Sequence, residues 1–183
     1  MKQVQKGSMV LTWLKDGNVK NIKGVIPVVS GVDYQCVYQD RNVAFPGVLN
    51  SGGCHIFEKT VTATGLTEDQ AHHEGYNTVC ATVDSRSQHG MIPGFKPWTL
   101  KLVFDRETQK LIGGQIVSDA KAPAKEIDAV SALILGEKKI AAITTVMIAS
   151  NPDIASEPSM EPISIAAEQA LQKLSAMGDV LSI

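Results

Sequence analysis

The chain predicts an α+β fold, an antiparallel sheet with helices packed on it, and three observations carry that reading. Apart from one short helix, strand-like segments follow one another up to residue 118 and helix-like segments follow one another after it. Strands and helices segregated in this way argue for a helical layer on an antiparallel sheet rather than for βαβ units. Residues 98–104 (WTLKLVF) alternate, with Trp98, Leu100, Leu102 and Phe104 on one face and Thr99, Lys101 and Val103 on the other, the period of a half-buried strand. Residues 110–118 (KLIGGQIVS) return after a turn at 105–109. One face of that hairpin must meet a core.

The other elements can be justified in order. Residues 9–15 and 19–29 are β-rich runs separated by Asp16-Gly17-Asn18, and Asp-Gly between apolar runs signals a hairpin. Pro27 sets the end or the edge of the second run. Residues 30–53 lose periodicity and carry Gly31, Pro46, Gly47, Gly52 and Gly53, which predicts a linker and places the boundary of the main domain at Phe45. Residues 54–62 (CHIFEKTVT) read as one strand, with Ile56 and Phe57 as its bulky members. Thr67-Glu68-Asp69-Gln70 fits a capping box, so a short helix should run to Glu74 and stop at Gly75. Residues 77–83 form a further strand through Val79, Ala81 and Val83.

Beyond the hairpin, Pro123 suits a first helical turn, and an apolar stripe from Ile127 through Leu135 runs to Gly136. Residues 140–147 predict another short helix. A final helix from Pro162 to Gly178 carries Ile165, Ala167, Leu171, Leu174 and Met177 at helical spacing. No internal repeat or low-complexity tract interrupts the pattern.

A chain of 183 residues, 44% hydrophobic and 20% charged, can bury a core of its own. A net charge of -2 with scattered lysines and arginines leaves no basic face for nucleic acid. No stretch approaches the ~20 apolar residues of a membrane span, and the amino terminus lacks the apolar core of a signal peptide. A cytoplasmic chain is the expectation. Cys36, Cys54 and Cys80 are odd in number and widely spaced, so they read as free thiols rather than as a disulfide framework or a zinc ribbon.

The candidate chemistry is thin. No G-x-G-x-x-G opens a βα unit, and Gly113-Gly114 sits inside a hairpin, where strand packing explains it better than phosphate contact. His72 and His73 are neighbours on a helix, so they diverge by about 100° and cannot share a metal. His55 and Cys54 alternate on a strand and face opposite ways. His89 falls in a Gly/Ser-rich loop and reads as exposed. Asp128 and Glu157 are single carboxylates with no visible partner, so no acid–base pair emerges. Neither catalytic nor metal-binding residues are expected.

Four segments together resemble one known domain. They are AFPGVL with the glycines after it, TVTATGLTEDQA at 60–71, KPWTLKLVFDRETQKLIGGQIVS at 96–118, and AKEIDAVSALI at 124–134. In this order and spacing, residues 45–174 resemble the C-terminal dimerisation domain of the flavin-dependent pyridine nucleotide-disulfide oxidoreductases, of the NADH oxidase and coenzyme A-disulfide reductase type. The resemblance implies a homodimer in which each last loop, here 150–162, reaches the flavin site of the other subunit. Related enzymes place His-Pro or Tyr-x-Pro-Pro near the start of that loop, and the disulfide reductases use the His as an acid–base. This chain has Asn151-Pro152 there, and a carboxamide cannot trade protons at neutral pH. Glu157 falls at the acidic position and, without a histidine, reads as a structural carboxylate.

By the same resemblance, FAD and NAD(P)H serve the full-length family enzyme on other domains, and none is expected to bind this chain alone. Residues 1–44 would be a hairpin and linker, the remnant or the replacement of a flavin domain, and residues 45–183 the dimerisation domain. The self-contact, of ~800 Å² per partner for a typical stable interface, is expected on Trp98, Leu100, Leu102 and Phe104 and on the final helix, with Asn151 and Glu157 on the loop; the alternative is that strand and helix are wholly internal core. Two alternatives stand beside this. The chain is part of an enzyme whose flavin and nicotinamide domain is separate, or it is a free-standing homodimeric module without redox activity, capped by its first 44 residues.

Overall fold

The computed structural model describes residues 10–12, 21–23, 34–38, 41–45, 48–147, 149, 151–155 and 161–178. The chain divides into two units, Met1–Val48 and Leu49–Ile183. In the first, β1 (Val10–Thr12) and β2 (Asn21–Lys23) pair antiparallel with Leu11 opposite Ile22, as the hairpin reading requires. Asp16-Gly17-Asn18 and Pro27 lie outside the described residues. The expected linker is corrected in its middle. β3 (Tyr34–Tyr38) and β4 (Arg41–Phe45) form a second antiparallel ribbon, Tyr34 opposite Phe45. The segments YQCVY and RNVAF are rich in aromatic and β-branched residues, and that propensity outweighs the flanking glycines.

The second unit is built on a five-stranded antiparallel sheet in the order β5-β6-β9-β8-β7. Its strands are β5 (Gly52–Ile56), β6 (Lys59–Gly65), β7 (Thr78–Arg86), β8 (Pro97–Asp105) and β9 (Leu111–Ser118). The single strand expected at 54–62 is therefore a hairpin. Ile56 pairs with Lys59, and Phe57 enters the turn at φ 53° with its ring 91% exposed. Positive φ at the first of two central residues usually belongs to glycine. With phenylalanine there the sequence offers no turn signal, and only the pairing of β6 with β9 sets the reversal.

The β8–β9 hairpin forms as predicted. Asp105 organises its turn by accepting from the backbone N–H groups of Glu107 and Thr108 at 3.3 and 3.1 Å. Between Val103 opposite Gly113 and Phe104 opposite Leu111, one extra residue, Ile112, makes a β-bulge. The adjacent glycines are packing devices. A Cβ on Gly113 would come within 1.8 Å of the Leu66 carbonyl oxygen, and one on Gly114 within 2.6 Å of Val130.

Helix α1 (Glu68–His73) has the full capping box, with Gln70 N donating to Thr67 Oγ1 at 3.2 Å and Thr67 N to Gln70 Oε1 at 2.9 Å. It ends in a Schellman motif: Tyr76 N reaches Ala71 O at 2.9 Å and Gly75 N reaches His72 O at 3.0 Å, with Gly75 at φ 87°. The helix expected from Pro123 breaks into α2 (Lys121–Ala124) and α3 (Ile127–Leu135). The α3 end is shifted too: Glu137, at φ 49°, takes the left-handed position instead of Gly136. The helix expected over 140–147 shortens to α4 (Ile140–Ile143). The last, α5, spans Pro162–Ala176.

The core lies between the sheet and the helices α3, α4 and α5. Val79, Ala81 and Val83 of β7 meet Trp98, Leu100, Leu102 and Phe104 of β8, with Leu111 and Ile116 of β9, under Val130, Ile140, Ile143 and α5. The opposite face carries α1, which pairs Glu68 with Lys101 and leaves Val103 buried.

Candidate functional site

Trp98 is 6% exposed and Leu100, Leu102 and Phe104 are 0% exposed within one chain. Of the two readings open for these four, subunit contact or internal core, their burial supports the second: their side chains face helices of the same chain. The final helix is corrected in phase. α5 buries Ile163, Ala166, Ala167, Ala170 and Leu174, while Ile165 and Leu171 are only partly covered and Met177 is exposed. Alanines let α5 approach β7 closely, where Lys173 Nζ donates to the Cys80 carbonyl at 2.6 Å.

The unspent apolar surface lies on α3. Its sequence, IDAVSALIL, is apolar almost all round, yet only Ile127 and Val130 are buried. Ala129 and Ala132 are exposed, Leu133 and Ile134 partly so, and Leu135 is 56% exposed. A helix that is apolar on every side normally has neighbours on every side. Sequence reading saw the stripe but looked for the self-contact on residues 98–104 and the final helix instead.

Two carboxylates crowd the start of these helices. Glu161, 7% exposed, caps α5 by accepting from Ile163 N at 3.1 Å and Ser164 N at 2.6 Å. Glu126 precedes α3, and although much of its surface reaches solvent, partial burial pushes its carboxyl above its ordinary range, with the charges of Glu161 and Asp128 adding to the push. Neither was singled out from sequence; the Glu-Pro step ahead of a helical stripe was the available signal for Glu161. Asp128, expected without a partner, pairs with Lys125.

Asn151 lies on the last loop, exposed, and its side chain serves the loop itself. Its Oδ1 accepts from Asp153 N at 2.9 Å, and its carbonyl accepts from Ile154 N at 3.1 Å and Ala155 N at 3.0 Å. Glu157 lies outside the described residues. His89, expected as an exposed loop residue, is half-buried: its N–H donates to the Pro152 carbonyl at 2.9 Å, and its Nδ1 accepts from Met91 N at 3.1 Å.

The remaining titratable residues sit apart. His55 Nδ1 contacts Thr60 Oγ1 at 3.0 Å and His72 Nε2 contacts Thr78 Oγ1 at 2.7 Å. Cys54 is exposed, whereas burial first and the charge of Glu68 second hold the Cys80 thiol above its ordinary range. The Lys101 ammonium holds the Glu68 carboxyl below its own. Among the described residues no three His, Cys, Asp or Glu could share a metal, and no helix is long and apolar enough to cross a membrane. The glycine pair is filled by Leu66 and Val130. A surface groove of about 410 Å³ beside α1 is lined by Leu66, Asp69, Gln70, His73 and Glu74.

An antiparallel sheet with α3, α4 and α5 on one face, α1 on the other and an uncovered apolar helix has the build of an association domain. The family described as "Pyridine nucleotide-disulphide oxidoreductase, dimerisation domain" matches residues 53–161, and the chain belongs to it. The chain is 34% identical over 94 residues to a CoA-dependent NAD(P)H sulfur oxidoreductase of Pyrococcus furiosus, a match covering 51% of this chain and 21% of that protein. It is 31% identical over 131 residues to an NADH oxidase of Methanocaldococcus jannaschii, covering 72% and 28%. The water-forming NADH oxidase of Lactobacillus brevis, solved bound to NADH, superposes with a TM-score of 0.68 at 25% identity, over 75% of this chain and 30% of that one. The chain thus spans about a fifth to three tenths of the length of these relatives.

Proposed function

We propose that this domain pairs two copies of a flavin-dependent NAD(P)H oxidoreductase through the outward face of α3, and that its last loop completes the site of the neighbouring subunit. The observation that carries the pairing is the exposure of Ala129, Ala132 and Leu135 on a helix with almost no polar side. A two-fold contact places one helix face against its own copy, so a single uncovered stripe is enough to close a dimer. Asn151 stands where a proton-carrying residue would act, and its carboxamide oxygen accepts from the loop's own Asp153 N–H. Its part is therefore to shape the loop and not to move protons. FAD, NAD(P)H and the redox chemistry belong, in this reading, to other domains of a complete enzyme, and the chain is cytoplasmic.

Native mass spectrometry of the purified chain in excess FAD tests both halves of the proposal. The expected species is a dimer without flavin. A monomer at micromolar concentration overturns the pairing, and a species that keeps FAD overturns the assignment of the chemistry to other domains.

A further inference from the structure

Residues 87–96, between β7 and β8, lie along residues 151–155 of the last loop. Pro152 has no N–H, and Asn151 receives the donors of Asp153, Ile154 and Ala155. The carbonyls of Pro152 and Asp153 are both taken by the β7–β8 loop: His89 N donates to Pro152 O at 2.9 Å, and Gln88 Nε2 donates to Asp153 O at 2.9 Å. One tie comes from backbone and one from a side chain, on consecutive residues of each partner.

The loop that supplies these ties is itself braced. Ser87 N donates to Lys96 O, and Lys96 N donates to Ser87 Oγ, each at 2.9 Å, closing its base. The Arg86 guanidinium lies 4.8 Å from the centroid of the Phe95 ring. Gly90 sits under the same guanidinium, so close that a Cβ there would meet Nη1 at 2.3 Å. Inside the loop, Met91 N donates to His89 Nδ1 at 3.1 Å and Ile92 N to His89 O at 2.9 Å. The hairpin below continues into β7 and β8, which carry the core.

We infer that residues 87–96 are a clasp that fixes the position of residues 151–155, with Gln88 and His89 as its positioning residues. The inference rests on the proposed role of the last loop at the neighbouring subunit's site. Through the clasp the rigid sheet sets where that loop stands, and a loop already held loses less freedom on meeting its target.

Hydrogen–deuterium exchange of the purified chain tests the clasp. Gln88→Glu keeps the side chain's size and removes its donor, while Gln88→Lys keeps a donor at similar reach. One exposed hydrogen bond contributes on the order of a kcal/mol. Gln88→Glu should therefore speed exchange of the Asp153, Ile154 and Ala155 amides roughly three- to tenfold. The β8 and β9 amides should stay unchanged, and Gln88→Lys should return the loop towards its original rate. Unchanged loop exchange in Gln88→Glu, an equal rise across β8 and β9, or no recovery in Gln88→Lys overturns the inference. Native masses of the same samples keep the two readings separate: a monomeric parent chain sinks the pairing, while the exchange pattern still decides the clasp within each chain.

Discussion

Helices α3 and α5 differ in apolar content, and their burial runs the other way. α5 is half polar by sequence, yet its stripe of Ile163, Ala166, Ala167, Ala170 and Leu174 is sealed against β7 and β8. α3 has hardly a polar residue, yet it buries only Ile127 and Val130 against the sheet. Apolar content therefore does not measure burial inside the chain. What α5 lacks in bulk it recovers by close approach, and what α3 has in excess stays uncovered within the chain.

The sharpest way to break the contrast is to exchange the demands on the two helices. Ala170 is 0% exposed, so Ala170→Leu forces extra carbons into a filled layer and should cost about 1–3 kcal/mol in urea-unfolding stability. A smaller cost than that would mean α5 can lift away from the sheet and that its alanines are not set by close packing. Leu135→Glu at the exposed end of α3 should act in the other direction. It should leave the stability of one chain within about 0.5 kcal/mol while shifting the dimer to monomer in sedimentation velocity. If the dimer survives, the α3 face is not the contact, and the comparison of the helices loses its functional half.

The smallest expected effect lies where the two helices begin. Glu126 ahead of α3 faces Glu161 ahead of α5, and its folded-state pKa is raised above the ordinary 4.5. A carboxyl with a raised pKa binds its proton more tightly in the folded than in the unfolded chain, so stability falls as pH climbs through that window. Glu126→Gln should therefore stabilise the fold at pH 7 by about 0.5 kcal/mol or less. The gain should fade as the pH drops below 4.5. A gain of equal size on both sides of that window would point to packing rather than charge.

Elements whose cause is local were legible. The Thr67–Gln70 capping box, the Gly75 stop and the β8–β9 hairpin each rest on a few neighbouring residues whose chemistry admits one answer. Elements whose cause is distant were not. Nothing in Ile56-Phe57-Glu58-Lys59 announces a turn. The break at Lys125–Glu126 separates two stretches that share one apolar period, and the bulky Ile165 and Leu171 drew the predicted stripe of α5 away from the alanines that are buried. For the candidate site, Asn151 could be named from the motif it interrupts. The ties from Gln88 and His89, more than 60 residues earlier, to the carbonyls of Asp153 and Pro152 could not.

The sequence by itself determined the fold class and the family, because alternation, caps and motif order are written in neighbouring residues. The tertiary structure decided which apolar residues are core and which stay uncovered within the chain. It also decided which loop holds which. Those outcomes depend on how closely sheet and helices approach, and that distance is set by side chains far apart in the chain.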